Sequence, residues 1–203
     1  MSFIFCSGKG GTLINKKALI EEAAHHTFKE LGYKKTNISK ITERAGIATG
    51  SFYKYYDSKE DIFLQVYIQE NNQLRERIKS QIDWQGDPIT IIQALFRLSH
   101  LEQVDNKIMA EWNNEAINHL MKDYYNSDQG RKEYPFHHFL FETFQTKLVE
   151  LGYSDSEIKK LIQVYELLYA LDTKIDKSNL PHFNESLQVL VEYFIRGIVN
   201  QKK

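Results

Sequence analysis

The stretch from Thr36 to Asp61, TNISKITERAGIATGSFYKYYDSKED, constrains this chain more than any other. Ile38, Ile41 and Ala45 recur at the three-to-four spacing that buries one side of a short helix. Gly46 can take the left-handed conformation that closes a helix, and Ile47 carries the turn back into a core. The ATGSFYKYY that follows reads as one or two more helical turns, in which only Phe52 and one or two of the tyrosines need be buried. Two short helices joined through a glycine, the second opening on small polar residues, have the form of a helix-turn-helix. An ordinary helical hairpin whose tyrosines fill a core has the same spacing.

In the helix-turn-helix reading the second helix is the reader. Ala48, Thr49, Gly50 and Ser51 are small enough to let its N-terminal end approach base edges or phosphates, where backbone amides and the helix dipole favour an anion. Tyr53, Lys54, Tyr55 and Lys59 supply longer donors to the flanking backbone, and Thr36 and Lys40 add contacts from the preceding helix. Either Thr36 or Asn37 caps that preceding helix, and whichever is left over has its polar group available for a phosphate.

A further helix lies upstream, from Asn15 as its cap to Leu31, with Gly32 ending it and Tyr33 packing back over it. With that helix included, the segment resembles the DNA-binding domain of the TetR family of one-component transcriptional regulators. The resemblance rests on Ile20, Ala23, Ala24, Phe28, Gly32, Tyr33, Thr36, Ile38, Ile41, Ala45, Gly46, Ile47, Ala48, Gly50, Ser51, Phe52, Tyr53, Tyr55, Tyr56, Ser58, Lys59, Glu60 and Asp61. It runs from Lys16 to about Phe63, about a quarter of the chain. Two departures stand out: Thr42 occupies a position that is usually alanine or valine, and Tyr55 and Tyr56 replace a common His-Phe pair. Both bear on base preference rather than on fold.

Charge is distributed in keeping with a modular DNA binder. The whole chain carries a net −1, yet residues 1–60 hold ten Lys or Arg against six Asp or Glu, and residues 61–203 hold sixteen against twenty-one. Ten glycines and three prolines in 203 residues leave little turn punctuation, which favours an all-helical chain. The single cysteine, Cys6, excludes an intrachain disulfide and fits a reducing cytoplasm. No run of apolar residues reaches the length of a membrane span.

The expected organisation is a flexible arm over 1–14, a three-helix DNA-binding domain over 15–61, and a helical ligand-binding and dimerisation domain over 62–203, about nine helices in all. The SGKGGT of the arm is not a phosphate loop, because Leu13-Ile14-Asn15 supplies no Lys-Ser/Thr step opening a helix. A linking helix runs from about Ser58 to Ile82, its polar middle, Glu70-Asn71-Asn72-Gln73, facing water or bordering a polar cavity. Pro88 opens a helix to about Val104 that is apolar on more than one side and so central to the body. The spacing predicts one helix over 106–125, a loop over 126–132, a helix from Pro135 to Gly152, one capped by Ser154 and Asp155, and a last one starting at Pro181.

The last two helices each carry more apolar width than one core needs. Paired with their two-fold mates they would make a four-helix bundle, and the resemblance implies the same helices for a homodimer. Such a dimer places two recognition helices about 34 to 36 Å apart, on successive major grooves of a palindromic site. In the body, Trp112, His119, Phe139, Tyr165 and Tyr169 mix apolar walls with hydrogen-bonding tips, as residues lining a small-molecule pocket do. Core packing accounts for each of them singly; the resemblance implies an inducer cavity among the helices after the linker.

No catalytic residue, metal site or cofactor follows from the sequence. His25-His26 and His137-His138 are adjacent and diverge by about 100° on a helix, so neither pair chelates alone. The expected function is therefore that of a cytoplasmic, homodimeric regulator, a repressor that binds palindromic double-stranded DNA and is released by an unidentified small molecule. A helical small-molecule binder or enzyme without sequence-specific DNA binding is the alternative.

Overall fold

The computed structural model describes residues 15–127, 135–174 and 180–202. Nine α-helices, one short 3-10 helix and no strand are found among them. The chain divides into two units, Met1–Phe63 and Leu64–Lys203, the division falling inside one helix.

The first unit holds α1 (Lys16–Lys35), α2 (Ile38–Arg44), α3 (Thr49–Phe52) and the start of α4 (Lys59–Gln81). Its core is aromatic. Phe28 meets Phe63 edge to face at 4.9 Å between ring centroids, and Tyr33 meets the same ring at 5.0 Å. Ile20, Ala24, Ile41, Phe52 and Ile62 are fully buried around them. Asn15 caps α1 through the Ala18 amide, and Asn37, not Thr36, caps α2 through the Lys40 amide at 2.9 Å. Helical backbone breaks at Gly32, with φ 75° and ψ 171°, and Tyr33–Lys35 make one further turn beyond it.

The connection between α1 and α2 is tied to the start of α4. Lys59 Nζ donates to the Tyr33 and Thr36 carbonyls, each at 3.2 Å, and lies 3.8 Å over the Tyr33 ring. The Tyr33 phenol donates to the Glu60 carboxylate. Ser58 caps α4 through the Asp61 amide at 3.0 Å.

The second unit holds the rest of α4, α5 (Pro88–Val104), a 3-10 helix (Met109–Asn113), α6 (Glu115–Asn126), α7 (Pro135–Glu150), α8 (Asp155–Lys174) and α9 (Phe183–Gln201). One buried cluster joins Leu148 and Tyr153 to Ile158, Ile195, Ile198 and Val199, with Ile89, Ile92 and Phe144 packed on its edge. The Tyr153 phenol closes it by donating to the Ile198 carbonyl at 2.7 Å. No helix among the described residues is long and apolar enough to cross a membrane.

Four expectations for the body are corrected. The polar middle of α4 is only partly solvated: Gln73 is exposed and Asn72 half-buried, but Glu70 and Asn71 are 3% and 4% exposed. Asn106 Nδ2 donates to Glu70 at 2.7 Å, and Asn71 Nδ2 donates to the Tyr125 hydroxyl at 2.9 Å, so burial is compensated by partners rather than avoided. The single helix over 106–125 is split, because Asn106 Oδ1 accepts from the Ile108 and Met109 amides and Asn114 adopts extended backbone before α6.

α5 is less enclosed than its apolar breadth suggests: Ile91 and Leu98 are buried and Ile92, Leu95 and Phe96 half-buried, while Leu101 and Val104 in its last turns are exposed. Pro181 lies in a turn closed by the Phe183 amide on the Leu180 carbonyl at 3.1 Å, with His182 at φ 63°, so α9 begins at Phe183. The arm and most of the predicted loop after Asn126 lie outside the described residues.

The clamp on α4 has a pH dependence. The hydrogen bond from Tyr33 holds the Glu60 carboxyl below its ordinary value of 4.5, against the opposing effect of partial burial. A carboxyl depressed in the folded state adds stability that is present above 4.5 and is lost as pH falls through its lowered folded value. Tyr33→Phe is therefore expected to speed hydrogen exchange of the α1 and α2 amides at pH 6, and to differ less from wild type at pH 3.

Candidate nucleic-acid interface

The turn between α2 and α3 is a Schellman closure. The Ile47 amide donates to the Thr42 carbonyl at 3.0 Å and the Gly46 amide to the Glu43 carbonyl at 3.1 Å, with Gly46 at φ 66°. Ala48 is extended, and no side chain caps α3 there. The chain then turns through α3, closed by the Ser51 amide on the Ala48 carbonyl at 2.8 Å, and ends with the Tyr55 and Tyr56 amides on the Phe52 carbonyl.

This geometry sorts the side chains. Phe52 is fully buried and Tyr56 nearly so, their rings 5.9 Å apart, and the Tyr56 phenol donates to Glu21 on α1. Burial, followed by the bond to Glu21, pushes that phenol's ionisation well above its usual value, so Tyr56 stays a neutral donor. Ala48, Thr49, Gly50, Tyr53, Lys54 and Tyr55 are exposed, and Ser51 is half-buried. Tyr53 and Tyr55 expose 54% and 40% of their surface. Lys54 has no ion-pair partner among the described residues.

Lys40 is exposed and uses one of its three donors on the Lys35 carbonyl at 2.8 Å.

Two expected contacts are corrected. Thr36 is 2% exposed, and its hydroxyl donates inward to the Gly32 carbonyl at 2.8 Å, so it presents nothing to a phosphate. Lys59 is half-buried and engaged with the Tyr33 and Thr36 carbonyls, which makes it a clamp on the helix connection rather than an outward donor.

One feature lies beneath the exposed face. The buried Thr42 hydroxyl is 3.2 Å from the Thr49 hydroxyl and 3.1 Å from the Ser39 carbonyl. The departure at position 42 was visible in the sequence, but its contact with Thr49 depends on how the turn folds.

In the body, the four ligand candidates whose side chains are described do not gather at one place. Phe139 packs edge-on against Trp84 at 4.8 Å, with Lys79 Nζ 4.3 Å from its ring. Tyr165 and Tyr169 gather instead on His137, at 5.9 and 3.8 Å between ring centroids. His119 is exposed on α6, and the Trp112 side chain lies outside the described residues. His137, set aside in the sequence as half of an adjacent pair, buries its Nε2 with no hydrogen-bond partner among the described residues. Burial lowers its proton affinity, against the opposing charge of Glu166.

Comparison with known proteins bears on the first unit most directly. Residues 20–66 match the family described as bacterial regulatory proteins, tetR family. The chain is 36% identical over 63 residues to the fatty acid metabolism regulator protein of Bacillus subtilis (strain 168), a match covering 31% of this chain and 32% of that one. It is 24% identical over 183 residues to an HTH-type transcriptional regulator of Staphylococcus aureus (strain bovine RF122 / ET3-1), covering 90% and 91% of the two chains.

Among solved structures, the fatty acid degradation regulator FadR from Bacillus halodurans superposes with a TM-score of 0.51 at 19% identity, over 91% of this chain and 95% of that one. Thermus thermophilus FadR, a repressor in complex with lauroyl-CoA, gives 0.51 at 21% identity, over 89% and 94%. These structures share the all-helical fold. With its outward-facing second helix inside that matched segment, and with relatives that are HTH-type transcriptional regulators, the first unit carries a tetR-type helix-turn-helix domain.

Proposed function

We propose that the protein is a homodimeric, ligand-released repressor acting in the cytoplasm on a palindromic operator. The observation that carries the DNA-binding part is the exposed strip from Ala48 to Tyr55 over a buried Phe52. In this reading Thr49, Gly50 and Ser51 approach base edges, while Lys40, Tyr53, Lys54 and Tyr55 contact the backbone.

The dimer reading is supported by apolar surface on the last two helices. Leu167 on α8 and Tyr193 on α9 are 59% and 72% exposed, and Val189 and Leu190 lie on the same outward side of α9 as Tyr193. Leu187, Ile195, Ile198 and Val199 occupy the opposite side and are buried, so each face of α9 is apolar. A two-fold pairing through the outward faces would remove that surface from water.

A ligand in the body then releases DNA to the extent that it binds the released state better. The neighbour from Thermus thermophilus holds lauroyl-CoA, and a fatty acyl-CoA is the first compound to test here.

Selection of bound sites from a random duplex pool is expected to enrich a palindrome; an enriched small-molecule activity with no retained sequence would favour the alternative. Lys54→Ala is expected to weaken binding to the selected site and to reduce the slope of log affinity against log salt by about one. A gel-shift titration with unchanged affinity and slope would remove Lys54 from the interface. Replacing both Leu167 and Tyr193 by glutamate is expected to halve the mass measured by light scattering, and a dimeric mass would place the interface elsewhere.

A further inference from the structure

The Thr42 hydroxyl has one proton to give and two lone pairs to receive with. It lies 3.1 Å from the Ser39 carbonyl, which can only accept, and Thr42 is 2% exposed, so no solvent competes for the proton. The second contact, at 3.2 Å to the Thr49 hydroxyl, must then run the other way, with Thr49 donating and Thr42 accepting. Thr49 is exposed at the first position of α3, and with its proton drawn inward only its lone pairs face outward.

We infer that Thr42 is a specificity-positioning residue: by taking the proton of Thr49 it turns that hydroxyl into an acceptor and directs it to bases that offer an exocyclic amine. In the major groove those are adenine, through N6, and cytosine, through N4; guanine O6 and thymine O4 present acceptors and are disfavoured. Thr42 touches no base itself. Its effect passes through one hydrogen bond, and alanine or valine at position 42 would leave the Thr49 proton free to turn outward. The inference rests on the DNA-binding reading of the first unit.

The test is site selection from a random duplex pool with the full-length protein and its Thr42→Val, Thr42→Ser and Thr49→Val variants. Thr49→Val identifies the half-site position that Thr49 reads, because preference there collapses. At that position wild type and Thr42→Ser are expected to select adenine or cytosine on the contacted strand. Thr42→Val is expected to keep the rest of the palindrome and to admit guanine or thymine there, raising their share about fivefold, the scale of one hydrogen bond.

Guanine or thymine selected by wild type at the position that Thr49→Val erases would overturn the inference without need of a folded Thr42→Val protein. So would a Thr42→Val site identical to wild type at every position, or a Thr49→Val site unchanged throughout. A wild-type pool with no enriched palindrome would instead sink the DNA-binding reading itself, and this inference with it.

Discussion

The left-handed residue at Gly46 is the constraint on which the head depends. An L side chain there would be strained at φ 66° even though a Cβ meets no atom within 4 Å, so the requirement is conformational rather than steric. Because the chain reverses there, Ile47 returns inward and the next helical turn presents Thr49, Gly50, Tyr53 and Lys54 to solvent while Phe52 anchors it from below. A right-handed residue at this point would carry α2 onward and leave Phe52 without its buried seat.

Around that turn, polar groups divide into those that hold the head and those left to meet a partner. Thr36, Tyr33, Tyr56 and Lys59 all face carbonyls or carboxylates of the protein itself. Hydrogen bonds of this kind contribute about 1 kcal/mol each when neutral and more when one partner is charged. They fix the relation of α1, α2 and the start of α4, so that the exposed strip is displayed by a rigid support. A site held this way loses little conformational freedom when it binds.

Much of this was legible in the residues. Periodicity, Gly46 and the small residues after it located both helices of the motif, and Asp87-Pro88 and Ser154 located two helix starts in the body. What stayed hidden was direction. Sequence shows that Thr36 and Lys59 are polar, but only the folded connection shows that Gly32, Tyr33 and Thr36 carbonyls lie within their reach. Glu70 and Asn71 mislead in the same way: they lie on the stripe of Tyr67, Leu74 and Ile78, whose period demanded burial, and partners from Asn106 and Tyr125, distant in sequence, make that burial tolerable. The ligand residues were the least legible, since aromatic side chains at helical spacing fit packing and binding equally well, and here Phe139 and the His137–Tyr169 group fall in separate contacts.

On the proposed reading, the strip after Gly46 is the surface that meets a duplex. Hydrogen exchange of the full-length protein, with and without a duplex carrying its selected site, tests it directly. Slowed exchange centred on the amides of residues 48–55 is expected. Unchanged exchange across those residues while the duplex is bound would contradict it.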